Sequence, residues 1–130
     1  MKPVILDTNA FSMILTDDPR LPSMSKSAIS KAPRVSLSAI SFYEIGQKVR
    51  LGKWDAMAEF APKLVEIAVG DGFDLIALNP THAIEASLLD WEHRDPFDRM
   101  IAAVTLAEDA DLISSDTAFD QLGSIRRIWS

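Results

Sequence analysis

Apolar positions along this chain come in short unbroken runs, separated by longer stretches in which they recur at three- and four-residue steps. Val4-Ile5-Leu6 is too short a run for a helix and reads as a buried strand. It ends at Asp7-Thr8-Asn9, where a polar residue can cap a helix carrying Phe11, Met13, Ile14 and Leu15. The stretch 17–34, rich in proline and serine, predicts a loop with a short helix around 25–31. A second strand is predicted over 35–40, after which Phe42, Ile45 and Val49 share one face of a helix running to about 51. Asp55 is placed to cap a further helix through Met57, Phe60, Ala61, Leu64, Ile67 and Ala68, stopped by Gly70-Asp71-Gly72. A third strand over 73–78 precedes a helix from about Pro80, striped by Ile84, Leu88 and Trp91. His93-Arg94-Asp95 reads as a loop, and Pro96 suits the first turn of a helix bearing Phe97, Met100, Ile101 and Val104. Leu112-Ile113 predicts a fourth strand leading to Ser114-Ser115-Asp116, and 125–129 a last edge strand.

Strands that alternate with helices predict an α/β fold: one domain over 1–130, with a mainly parallel central sheet flanked by helices. No internal repeat, low-complexity tract or linker interrupts it. In such sheets ligands bind beyond the carboxyl ends of the strands. That rule draws together Asp7 and Asp116, which follow strands; Glu44 and Asp98, which open helices, can converge on the same rim.

Composition narrows the chemistry. The 130 residues suffice for a core without staples, and the absence of cysteine removes disulfides, thiolate zinc sites, iron–sulfur clusters and cysteine nucleophiles. Val4-Ile5-Leu6 is too short for a signal peptide or a membrane span, so a cytoplasmic protein is expected. The net charge of −6 argues against loose attraction to nucleic acid. It leaves room for a nuclease whose carboxylates are neutralised by a bound cation.

Carboxylates from four separated segments, Asp7, Glu44, Asp98 and Asp116, are a way to build a Mg²⁺ or Mn²⁺ site, because hard cations take oxygen ligands. Each acid also has a structural reading. Ser41 with Glu44 is spaced as a capping box, Asp95 and Asp98 as a cap and a first-turn acid, and Asp7 and Asp116 as caps after strands. Thr8 and Ser115 can support a neighbouring carboxylate, or serve as cap partners. Arg99 can orient a carboxylate or meet phosphate, with an exposed salt bridge as its ordinary role. His82 and His93 read as surface or loop residues without a catalytic role. Lys48, Arg50 and Lys53 form the densest basic stretch and read as a solvated helix face.

The strings Asp7-Thr8-Asn9-Ala10-Phe11, Ser41-Phe42-Tyr43-Glu44-Ile45, His93 through Ala103 and Leu112-Ile113-Ser114-Ser115-Asp116 occur in the order and spacing of PIN-domain ribonucleases. The chain resembles a VapC-type toxin of a toxin–antitoxin pair over nearly its whole length, with the string from Asp95 to Ala103 the most specific part. The resemblance implies an endoribonuclease that hydrolyses RNA with metal-activated water. It implies Mg²⁺ or Mn²⁺ held by Asp7, Glu44, Asp98 and Asp116, with Asp95 as helix cap or outer contact. Asn9 stands where many relatives have histidine. A homodimer and a cognate antitoxin partner belong to the same expectation.

Two rivals remain at this point. A receiver-like phosphoacceptor domain would want a lysine on a late strand, where this chain has Arg126 and Arg127. A non-catalytic PIN-like scaffold would bind RNA or protein without cutting.

Overall fold

The computed structural model describes all residues, 1–130. Five strands form one sheet: β1 (Val4–Leu6), β2 (Val35–Ser38), β3 (Asp74–Ile76), β4 (Asp111–Ile113) and β5 (Arg127–Ile128). Their order is β3-β2-β1-β4-β5, and every pairing is parallel. The six helices are α1 (Thr8–Leu15), α2 (Ser23–Lys31), α3 (Ala39–Arg50), α4 (Leu64–Gly70), α5 (Pro80–Leu88) and α6 (Pro96–Ala107). None is long and apolar enough to cross a membrane.

The period-two geometry of the strands sorts the core into two layers. Val4, Leu6, Leu37 and Ile113 pack with Phe11, Ile45, Met57 and Leu64 on one face. Ile5 and Leu112 pack with Trp91, Ile101, Val104 and Phe119 on the other. A sheet buried on both faces explains why the central β1 is a continuous apolar run, while β2, Val-Ser-Leu-Ser, alternates and still buries Ser36 and Ser38.

Several sequence expectations are corrected by packing and local sterics. The second strand stops at Ser38, whose hydroxyl caps α3 by accepting from the Ile40 N–H at 3.2 Å. Ser41 thus lies inside the first turn, and the capping box expected of Ser41 and Glu44 is absent. The helix expected from Asp55 is broken into 3₁₀ turns at Asp55–Met57 and Ala61–Lys63 before α4 begins. Pro62 lacks the N–H that an uninterrupted helix needs there. The stripe expected on α5 faces outward, with Ile84 56% and Leu88 75% exposed. The buried face is instead His82 and Ala86, four residues apart. Trp91 is buried, but in the loop beyond the helix.

Candidate active site

The chain runs from β1 outward to β2 and β3, then crosses back to β4 beside β1, so the sheet's direction of growth reverses between β1 and β4. At that point Asp7 leaves β1, its N–H donating to the Ile113 carbonyl at 3.1 Å. Its Oδ1 accepts from the Ala10 N–H at 2.8 Å, which caps α1. Asp7 is 5% exposed. Burial pushes its pKa up to about 6; hydrogen bonds from Ser114 and Ala10 oppose the rise, and the charges of Asp98 and Glu44 add to it.

Glu44 projects from the second turn of α3 and is also buried. Lys48, one turn further on, donates to its Oε2 at 2.6 Å and stands 5.4 Å from the Trp54 ring centroid. Lys48 is therefore engaged with an acid of the rim rather than solvated as the basic stretch suggested. Thr8 donates to the Ser41 hydroxyl at 3.0 Å, both side chains buried, which ties the start of α1 to α3 and fixes Asp7 relative to Glu44.

Asp98 lies in the first turn of α6, whose cap is Asp95, with Oδ1 accepting from the Phe97 N–H at 2.9 Å. Burial raises the Asp98 pKa; the hydrogen bond from His93 offsets part of this, while Asp95 and Asp116 add to it. Asp116 caps the turn after β4, accepting from the Ala118 N–H at 2.9 Å through one oxygen. The electrostatic neighbours run in series: Glu44 with Asp7, Asp7 with Asp98, Asp98 with Asp116. The four acids thus lie along one rim of the sheet, where Asp98 and Asp116 bring ligand atoms within 4.8 Å of each other and Asp7 and Glu44 stand outside that close group. Capping occupies one oxygen of Asp7 and one of Asp116, so the structural and ligand roles are compatible in the same side chain.

Four residues, His93, Ser115, Arg99 and His82, differ from expectation. His93 is not a bystander: its Nε2 lies 2.7 Å from Asp98 Oδ2, and its ring sits 4.8 Å from that of Trp91. Ser115 is exposed, whereas the neighbouring Ser114 is buried, lowers the Asp7 pKa and accepts the Asp116 N–H at 3.0 Å. Arg99 makes neither a salt bridge nor a carboxylate contact. All five of its N–H groups go to carbonyl oxygens of Ala86, Ser87, Leu89, Trp91 and His93. Asn9 is exposed and lines a cleft of about 210 Å³ with Ser12, Asp18, Arg20 and Trp54. His82 is buried and completes the cap of α5, where Asn79 accepts its N–H at 2.8 Å. The ordered chain of short cap motifs could have flagged Ser114; nothing in the sequence distinguishes His93 or Lys48 from surface residues.

The donor set suits a hard divalent cation. Asp7 and Asp116 form no ion pair, and the ligand atoms of His93, Asp98 and Asp116 lie within 4.8 Å of one another.

Comparisons with known proteins bear on the fold and the family. A chain of VapBC2 from Rickettsia felis, bound to a promoter DNA fragment, matches with TM-score 0.72 at 17% identity over 98% of this chain and 99% of that one. VapBC-1 from nontypeable Haemophilus influenzae matches with TM-score 0.70 at 18% identity, covering 97% and 96%. Mycobacterium tuberculosis VapC20, described as a toxin that cleaves the Sarcin-Ricin loop, matches with TM-score 0.63 at 17% identity, covering 92% and 95%. No curated protein matches the sequence. The PIN domain profile matches residues 4–125, which is nearly the whole sheet and every acid of the rim. The chain belongs to the PIN-domain family and shares the fold of VapC-type toxins.

Proposed function

We propose that this protein is a divalent-metal-dependent endoribonuclease, the toxin of a toxin–antitoxin pair, with Asp7, Glu44, Asp98 and Asp116 as its catalytic acids. The observation that carries the reading is the convergence of these acids on one rim, with the Asp7 pKa pushed up to about 6 by burial and by its acidic neighbours. Such repulsion is costly unless a cation answers it.

Asp7, Asp98 and Asp116 would hold Mg²⁺ or Mn²⁺, with Glu44 beside them. A bound cation supplies Lewis acidity, acidifying water and screening phosphate charge. Asp7 would hold the ion as its carboxylate, so its pKa of about 6 would make binding at mildly acidic pH accompany loss of its proton. Glu44 keeps a fixed orientation through Lys48, and the Thr8–Ser41 bond holds its helix in register with Asp7. Beside the rim, Tyr43 is 60% exposed and its ring lies 6.2 Å from that of Phe97. An aromatic surface next to acidic metal ligands suits an unpaired base, the form in which RNA is usually read.

The structural relatives named as VapBC complexes support an antitoxin partner for this chain. A basic antitoxin residue entering the acidic rim, and pairing of the toxin with a second copy, complete the reading.

The test is cleavage of a mixed cellular RNA pool by wild type and Asp98→Asn, each with Mg²⁺, Mn²⁺ or EDTA. Fragments from wild type alone, lost in EDTA, are expected. RNA that is bound but left intact under all conditions would favour a non-catalytic scaffold instead.

A further inference from the structure

The rim is electrostatically divided. On one side Lys48 already occupies an oxygen of Glu44, at 2.6 Å. On the other, Asp116 forms no ion pair, and the only side-chain partner of Asp98 is the imidazole of His93. An entering cation meets less competition on the Asp98–Asp116 side.

His93 is also held there by more than its own bond. Arg99 donates through one nitrogen to the carbonyls of Trp91, at 2.8 Å, and His93, at 2.9 Å. Its other nitrogens bind Ala86, Ser87 and Leu89. Arg99 thus fixes the path of the whole loop between α5 and α6. The Trp91 indole N–H is anchored in turn on the Ala118 carbonyl at 3.2 Å and Gln121 Oε1 at 3.1 Å. The Trp91 ring lies against the imidazole, tilted by 42°. A loop histidine with a fixed backbone and a fixed neighbouring ring has its Nε2 set at the carboxylates before any ligand arrives. To bind an ion, Nε2 would exchange its hydrogen bond to Asp98 for the metal while the fixed loop and the Trp91 ring keep the imidazole in place.

We propose that His93 is itself a ligand, completing with Asp98 and Asp116 a mixed nitrogen–oxygen cation site, so that this protein takes Mn²⁺ or a similar first-row ion in preference to Mg²⁺. The three ligand atoms span at most 4.8 Å. One ion at the usual ligand distance of about 2.1–2.5 Å can touch all of them after sub-ångström rotations. Imidazole nitrogen binds first-row transition ions well, whereas Mg²⁺ favours oxygen and gives up its water reluctantly. The inference rests on the nuclease reading only for the identity of the rim; its own content is the nitrogen ligand.

The test uses Mn²⁺ as the probe on the full chain. The sequence has two histidines, so ¹⁵N-labelled histidine gives an unambiguous pulsed-EPR readout once His82 is the only one left in His93→Gln. Expected are an imidazole coupling in Mn²⁺-loaded wild type, its disappearance in His93→Gln, and a Mn²⁺ affinity lowered at least about tenfold. Mg²⁺ affinity should change much less. Wild type alone decides the matter if the variant fails to fold: Mn²⁺ bound without imidazole coupling, or no Mn²⁺ bound, overturns the proposal. Coupling without RNA cleavage would leave this ligand in place and remove the nuclease reading. Metal-dependent cleavage without coupling would do the reverse.

Discussion

Asp7 shows how a single residue serves two demands. One oxygen caps α1, and the carboxyl as a whole is held in a buried, acidic setting that lifts its pKa from 3.8 to about 6. Because the folded-state value is raised, protonated Asp7 stabilises the metal-free fold fully below about 3.8, and that contribution is lost as pH rises through about 6. A rise of this size corresponds to about 3 kcal/mol. Asp98 moves in the same direction and adds to the trend. Urea unfolding of the metal-free protein should therefore show stability falling between about pH 4 and 7. Asp7→Asn keeps an oxygen for the cap and removes the charge, so it should flatten this slope and gain about 1–3 kcal/mol at neutral pH. A slope unchanged by the substitution would mean that Asp7 does not titrate in that window.

Arg99 plays the corresponding part between elements. The segment joining α5 to α6 has carbonyls that no strand or helix satisfies, and one guanidinium takes five of the bonds. Hydrogen bonds to a charged group are each worth about 1.5–3 kcal/mol and are not additive. Arg99→Ala should cost about 3 kcal/mol or more in denaturant unfolding. Arg99→Lys should rescue little of it, since an ammonium has three donors and no fork. Near-wild-type stability of Arg99→Lys would show that the clamp matters less than its geometry suggests. The sequence placed this arginine beside Asp98 but gave it the wrong partners, because carbonyls of residues 86–93 are brought within reach only when the loop has folded around it. The expected helix from Asp55 failed for a different reason: Pro62 is visible in the sequence, but apolar periodicity does not register a missing N–H donor. On α5 the period was right and the face wrong. Ala86 and His82 face inward where α5 meets α6, and the larger Ile84 and Leu88 are left outside.

Across the molecule, the proposed cation binding would be linked to folding, because the rim exists only when β1, β4, α3 and α6 are together. A ligand that binds only the folded state stabilises it by about 2.7 kcal/mol at a hundredfold excess over Kd. Differential scanning calorimetry should show Mn²⁺ raising the melting temperature of wild type by several degrees. Asp7→Asn should show a much smaller rise, and equal rises in the two proteins would mean that Asp7 is not among the residues that hold the ion.

The sequence by itself determined the alternation of strands and helices, the parallel α/β class, and the acids at strand ends and helix starts. These follow from local sterics: unbroken apolar runs for strands buried on both faces, three- and four-residue spacing for helices, and polar caps where each begins. It also carried the resemblance to the PIN domain, through the strings around Asp7, Glu44, Asp98 and Asp116 and above all the one from Asp95 to Ala103. Only the tertiary structure decided what stands around those acids. Lys48 beside Glu44, Ser114 beneath Asp7 and His93 against Asp98 depend on side-chain direction and loop path. Both are set by packing against distant segments: Trp91 on Phe119, Arg99 on the loop before it, Thr8 on Ser41. A pattern of residue types records which groups are present, whereas the field each acid feels is a sum over neighbours that the chain brings together only on folding.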